Sequence, residues 1–326
     1  GELCGEAACG GALEEVTTTE FSHGSGLNRD LRWIASQSAT LVILYALIQT
    51  LPPGLLIMTN SGRATIKIAH LGREGGDPEG ISELAGSFAS SNAGYAVESH
   101  VALNSLEAVD VSRALFVTSG SAQAEACAGG EVATSSPLSV GDLVWLRSGA
   151  TLSLDAPCSF VCFGVPGELP ADLPTFIRPD HDPKITDTPG GCAEEERAYR
   201  RILVTWLADN GPYTFDGLNA HRVRMWNSFS HYHPPEGGFD ELYVVQEVEE
   251  GGCIYTSLER DKIEVPEEID LEEAGALVHA LTPEAGDLIY IPRGVIHRAV
   301  GGVLAQVVTV PGFKPGFEVG VDHHLR

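Results

Sequence analysis

Apolar residues in this chain gather in short runs, divided by glycine, proline and acidic residues at intervals too close for long helices. Such runs predict strands at Thr40–Gln49, Leu55–Met58, Thr65–Leu71, Ala114–Ser119, Asp142–Leu146 and Ser159–Val165. A second group is predicted at His221–Phe229, Glu241–Gln246, Gly252–Leu258, Asp287–Ile291 and Ala305–Val310. One short helix is predicted over "ISELAGSFA", after the acidic, glycine-rich loop 72–80. Residues 166–191 carry six prolines and several aspartates and read as an inter-domain linker. "AEEERAYRRILVTWL" opens the second half as a helical turn passing into a strand. The charged insertion "ERDKIEVPEEIDLEEAG" reads as a solvated loop.

Many short strands with turn signals between them predict an all-β barrel or sandwich. The halves also echo each other. "ALFVTSGSAQAEACAGGE" followed by "PLSVGDLVWLRSGATLSL" parallels "ELYVVQEVEEGG" followed by "LTPEAGDLIYIPRGVIHR". An internal duplication of one β-fold follows. A weaker echo pairs "LIQTLPPG" with "SHYHPPEGG", setting Gln49 and Leu51 where the second half has His231 and His233.

Composition narrows the function classes. The 326 residues carry 45 acidic against 20 basic side chains, a formal charge of −25, which repels phosphate backbones and anionic lipid headgroups. No nucleic-acid or membrane partner is therefore expected. The apolar run Thr40–Met58 contains Gln49 and is broken by Pro52, Pro53 and Gly54, leaving too little for a membrane span. Seven cysteines at irregular spacing, with no CxxC pair, point to reduced thiols and a cytoplasmic protein.

The candidate chemistry lies in "SHYHPPEGGFDELYVVQ". On an extended strand His231 and His233 face one side, about 7 Å apart, and can converge on one metal ion. Glu241 opens the next strand after a Pro-Pro-Glu-Gly-Gly connection able to fold the chain back as a hairpin. In "GDLIYIPRGVIHR", a turn at Gly286–Asp287, a strand and a bend at Pro292–Gly294 lead to His297.

These two segments resemble the two motifs of the cupin superfamily: two histidines one apart then a glutamate, and Gly286, Pro292, Gly294, His297 at the second motif's spacing. The resemblance covers Arg200 to about Phe317, and the first half only through the duplication. It implies an all-β bicupin of two double-stranded β-helix barrels with few short helices. The expected divisions are an arm at 1–30, a metal-free degenerate barrel at 31–168, a linker at 169–195 and a metal-binding barrel at 196–326. It further implies His231, His233, Glu241 and His297 as ligands of one divalent ion, Fe(II) first and Mn, Ni or Zn as alternatives. The seven residues between His233 and Glu241 exceed the family's usual connection, which makes Glu236 a competitor for the carboxylate position. In the first half, the position of His297 corresponds to Leu152 and that of Glu241 to Ala114, leaving that barrel a structural or homodimerising role.

A three-histidine, one-carboxylate centre with open positions is expected to serve a metal-dependent dioxygenase acting on a small organic substrate. The alternatives are isomerase, epimerase or lyase chemistry at the same ion, or a bicupin that binds a small ligand without turnover. Arg293 and Arg298 are candidates to pair an anionic substrate. Tyr243, Phe229, Trp226 and Tyr290 are candidates to wall the pocket.

Overall fold

A computed structural model of the chain describes residues 65–129, 132–189 and 199–322. The expected arm, the strands Thr40–Gln49 and Leu55–Met58, the Gln49–Leu51 echo and the helical turn before Arg200 lie outside the described residues. Along the first half run β1 (Lys67–His70), α1 (Pro78–Ser91), β2 (Ala96–Leu106), β3 (Ser112–Ser119), β4 (Ala122–Cys127), β5 (Thr134–Leu138), β6 (Leu143–Leu146), β7 (Thr151–Val165) and β8 (Phe176–Ile177). The second half continues with β9 (Arg200–Val204), β10 (Asn219–Asn227), β11 (His231–Tyr232), β12 (Asp240–Val248), β13 (Cys253–Ser257), α2 (Arg260–Ile263) and α3 (Leu271–Leu277). It ends with β14 (His279–Leu281), β15 (Asp287–Ile291), β16 (Ile296–Val310) and β17 (Val319–Gly320).

The strands form two antiparallel sheets with matching connectivity. One is ordered β5-β4-β7-β3-β6-β8 with β2 beside β7. In the other, β14-β13-β16-β12-β15-β1 repeats that order, with β10 beside β16. The duplication legible in the sequence is thus a duplication of topology. The last partner strand in each sheet comes from outside its own run: β1 pairs β15 of the second sheet, and β8 pairs β6 of the first.

The second sheet curls on itself because its longest strand, β16, bends. Glu241 is the register partner of Thr309 on β16, yet its carboxylate lies 3.0 Å from His297 near the other end of the same strand. An extended strand rises about 3.3 Å per residue, so β16 has to fold its two halves face to face. The bend falls at Gly301 and Gly302, whose φ values of 73° and 90° belong to the left-handed region. A Cβ on Gly301 would meet the Gly251 carbonyl oxygen at 2.3 Å.

Alternation then sorts the side chains. Tyr243, Val245, Ile289, Ile291, Ala305 and Val307 fill the second barrel's interior. Their neighbours Leu242, Val244, Leu288, Tyr290 and Val308 point the other way, into a core shared with Phe116, Trp145 and Phe163 of the first sheet. Both faces of these strands are buried, which explains their nearly continuous apolar sequence. Helix α1 seals the shared core with Leu84 and Phe88, four apart on one face and 0% exposed. Asp77 caps it by accepting the Gly80 N–H at 2.9 Å, with Pro78 in the first turn.

One stretch differs from its sequence reading. The charged insertion is not a loop: it forms α2, a 3-10 turn at Pro266–Glu268 and α3, with Ile263 and Leu277 buried. Local caps supply the order, Asp270 accepting the Glu272 N–H at 3.1 Å. The proline-rich stretch after 166 is stitched to the sheets by β8, by the Arg178–Asp142 ion pair at 3.0 Å and by the Tyr213–Asp182 hydrogen bond at 2.6 Å. Among the described residues no helix is long and apolar enough to cross a membrane.

Candidate metal centre

Strand β11 delivers His231 and the residue after its end delivers His233; β12 delivers Glu241 at its start, and β16 delivers His297. His231 and His297 are cross-strand partners, and Glu241 pairs Ile291 on one side and Thr309 on the other. One ligand atom from each of the four lies within 4.8 Å of every other, and all four residues are buried. Ring centroids are 4.3 Å apart for His231 and His297, and 5.3 Å for His233 with either neighbour. Glu236 stays exposed on the turn before Glu241, apart from this group.

The hydrogen bonds fix which nitrogen faces inward. Nδ1 of His231 lies 3.1 Å from the Phe229 carbonyl, and Nδ1 of His297 lies 3.1 Å from the Val295 carbonyl. A carbonyl only accepts, so these nitrogens carry the protons and Nε2 is left to offer a lone pair. His233 is held by the Phe239 backbone, and its Nε2 is buried with no partner. Burial first, and His297 beside them second, hold His231 and His233 well below the usual imidazole range, so both are neutral at pH 7.

A divalent cation fits this set. The Nε2 of His297 sits 3.0 Å from Oε2 of Glu241, and that of His233 sits 3.8 Å from Oε1. Lone pairs facing each other at such distances require a proton or a cation between them. A buried, partnerless Nε2 costs roughly 1–3 kcal/mol, and coordination removes that cost. The paired sheets and the grouped donor set agree with what the cupin resemblance of the sequence implies.

The remaining candidates separate clearly. Tyr243 faces the interior, its ring 6.3 Å from that of His297. Phe229 stacks on His231 at 4.2 Å. Arg293 is engaged elsewhere: its N–H and Nε donate to Asp240 Oδ1 at 2.9 and 2.8 Å, and Nη2 donates to Asn92 at 2.8 Å. Tyr290 belongs to the shared core and donates to the same Asp240 at 2.8 Å. Arg298 follows an inward histidine and turns outward to Asn227 and Asp322. Trp226 packs over the Gly302 bend.

Four further residues near the centre carry no motif of their own. Phe239 lies against His233 with centroids 4.0 Å apart. Thr309 shares the inward face with Glu241, and its Oγ1 is buried without a partner. His221, paired with the inward Val307, is held down to about 3 by burial and then by Arg200. Glu318 precedes β17, whose Gly320 pairs His231. Its side chain reaches water, yet the surrounding protein first, and the charge of Glu241 second, push its carboxyl up to about 7. Strand alternation on "LAQVVTV" points to Thr309; nothing local in "KPGFEVG" marks Glu318.

The first barrel shows what replaces the ligands. Leu152 occupies the place of His297, as the count from Gly141 indicates. The place of Glu241 belongs to Arg113 rather than Ala114. Glu241 pairs Ile291 and Thr309, and the corresponding Leu146 and Gly164 both pair Arg113. The one-residue correction matters because it exchanges an apolar residue for a buried cation, donating to the Glu107 and Ala150 carbonyls at 2.8 and 3.2 Å.

No protein-family model matches the chain, and no curated protein matches it. Among solved structures, it is similar to a point mutant of Bacillus subtilis oxalate decarboxylase, with TM-score 0.46 and 13% identity over 71% of this chain and 72% of that one. Lactobacillus farciminis oxalate decarboxylase in a formate complex gives TM-score 0.46 and 14% identity over 72% and 82%. A B. subtilis oxalate decarboxylase structure described for its Mn(II) centres gives 0.43 and 14% over 71% and 72%. These are distant likenesses.

Proposed function

We propose that the second barrel is the active site of a metalloenzyme that moves a proton on a small, oxygen-rich acid, in decarboxylation or a related lyase or isomerase reaction. Glu318 carries this reading over the expected dioxygenase. An oxygenase needs open positions on its ion, whereas a lyase or isomerase must also deliver or remove a proton at carbon. Glu318 offers a carboxyl just before β17, whose Gly320 pairs His231, in the electrostatic reach of Glu241 and open to water for proton exchange. Three imidazoles and one carboxylate suit Mn(II) or Fe(II), with no sulfur donor to favour a softer ion.

A divalent ion bound by His231, His233, Glu241 and His297 supplies Lewis acidity toward substrate oxygens. The chain's own residues do the rest. The Thr309 hydroxyl donates to a substrate oxygen beside Glu241. Tyr243 and Phe239 exclude water from the flanks. Glu318 gives its proton to the reacting carbon and regains one from solvent.

The test is turnover of a panel of small dicarboxylic and keto acids by Mn(II)- and Fe(II)-loaded protein in D2O, with and without oxygen. Oxygen-independent product carrying solvent deuterium is expected, with Glu318→Gln slowed roughly 10²–10⁴-fold while metal content holds. Turnover that consumes oxygen stoichiometrically and is indifferent to Glu318→Gln refutes the reading.

A further inference from the structure

The first barrel carries a second group of donors that the centre above does not use. Glu98 and His100 stand two apart on β2, so both face one side of the strand. Cys162 on β7 is the register partner of Glu98. One ligand atom from each of the three lies within 4.8 Å of the others. Oε1 of Glu98 is 3.2 Å from Nε2 of His100, and the Cys162 thiol hydrogen-bonds the same carboxylate. The second barrel has the same imidazole–carboxylate approach between His297 and Glu241, at 3.0 Å.

The two places differ in access and in chemistry. At the position equivalent to Glu241 and His297, Arg113 and Leu152 leave no donor atom for a cation. Glu98 and His100 lie nearer the solvent, with side chains 57% and 20% exposed, while Cys162 is 0% exposed. An ion can therefore enter from water and be held from below by sulfur. Thiolate, imidazole and carboxylate are the donors that zinc takes, and three protein ligands leave a fourth position for water. Burial first, and Glu98 second, push the Cys162 thiol up in the ion-free protein, so binding releases its proton and leaves two anionic donors to balance the ion beside Arg113, whose Nη2 is directed to backbone carbonyls.

We propose that Glu98, His100 and Cys162 form a second metal site, for a borderline-soft divalent ion such as Zn(II) or Co(II). It departs from the expectation of a metal-free first barrel, and it does not rest on the reaction assigned to the second. Sulfur separates the two sites, because thiolate favours Zn and Co over Mn and the His231–His297 centre contains none.

Titration of the purified full chain with Co(II) tests the site. Two equivalents are expected to bind, one of them producing near-ultraviolet sulfur-to-cobalt charge-transfer absorption. His297→Ala keeps that absorption. His100→Ala and Cys162→Ser each abolish it together with one equivalent. His100 is partly exposed, so His100→Ala decides the matter where Cys162→Ser fails to fold, as its thermal transition shows. Saturation at one equivalent without charge-transfer absorption, or absorption retained in either first-barrel variant, overturns the proposal.

Discussion

Asp240 is the neighbour of the candidate ligand Glu241, yet its role is to hold the barrel against helix α1. Its carboxylate is 0% exposed and accepts from the Arg293 N–H and Nε at 2.9 and 2.8 Å, from Tyr290 at 2.8 Å and from Asn92 at 2.6 Å. Asp240→Ala takes the acceptor from all four donors, of which the Asn92 Nδ2 keeps another, the Phe88 carbonyl at 3.0 Å. Tyr290 and Asn92 are 1% and 4% exposed and cannot turn to water, which costs about 1–3 kcal/mol each. Arg293 is 21% exposed, and water relieves part of its loss. The total is about 3–5 kcal/mol, the range found when one partner of a buried ion pair is removed. At roughly 2–4 °C per kcal/mol, the melting temperature of the metal-stripped protein falls on the order of 10 °C. Thermal unfolding followed by circular dichroism measures it. Mn(II) affinity, measured on the folded variant, is expected to stay unchanged, because Asp240 points to the face opposite Glu241. A loss below about 1 kcal/mol, or a folded variant that no longer binds metal, would refute this account of Asp240.

Further outcomes follow from the same geometry. Glu241→Gln removes the only anionic ligand and is expected to weaken Mn(II) by more than the roughly 10–100-fold typical of a lost supporting contact, with Glu236→Gln nearly neutral; a strong effect at Glu236 alone would reverse the assignment. Gly286→Ala places a Cβ 2.4 Å from the Gly72 Cα at a φ of +90°, so urea unfolding should show a loss of at least about 1–2 kcal/mol. Glu318 binds its proton more tightly folded, at about 7 against an ordinary glutamate value of 4.5, so its contribution to apo stability is lost as pH rises through that window. Glu318→Gln should flatten the fall in stability between those limits, and an unchanged pH profile counts against the assignment.

The grouping of the four candidate ligands was legible where its geometry is local. Two histidines one apart on a strand, and a Gly–Pro–Gly–His spacing that sets a turn, a bend and a ligand, need only short-range rules. Glu241 was legible despite its long connection because the extra residues sit on an exposed turn and leave the start of β12 in place. What escaped is non-local. No short-range pattern says that β1 pairs β15, since the partners lie far apart in sequence. Arg113 was missed by one position because an alignment of turns does not fix register, whereas two independent strand pairings do. Arg293 has the sequence context of a substrate anchor; only the buried Asp240 and the distant Asn92 show where its guanidinium goes. The charged insertion hid its helices because their order comes from caps and a few buried side chains rather than from an apolar stripe.

Metal stoichiometry of the His297→Ala protein, beside the wild type, tests the central claim most directly. Purified chains stripped of metal and reloaded with Mn(II) should bind one equivalent in the wild type. In His297→Ala that equivalent is expected to be lost or severely weakened, while far-ultraviolet circular dichroism and the unfolding transition persist, because His297 serves the ion and not the apolar interior. A His297→Ala protein that keeps full Mn(II) occupancy at stoichiometric metal would contradict the assignment of the centre.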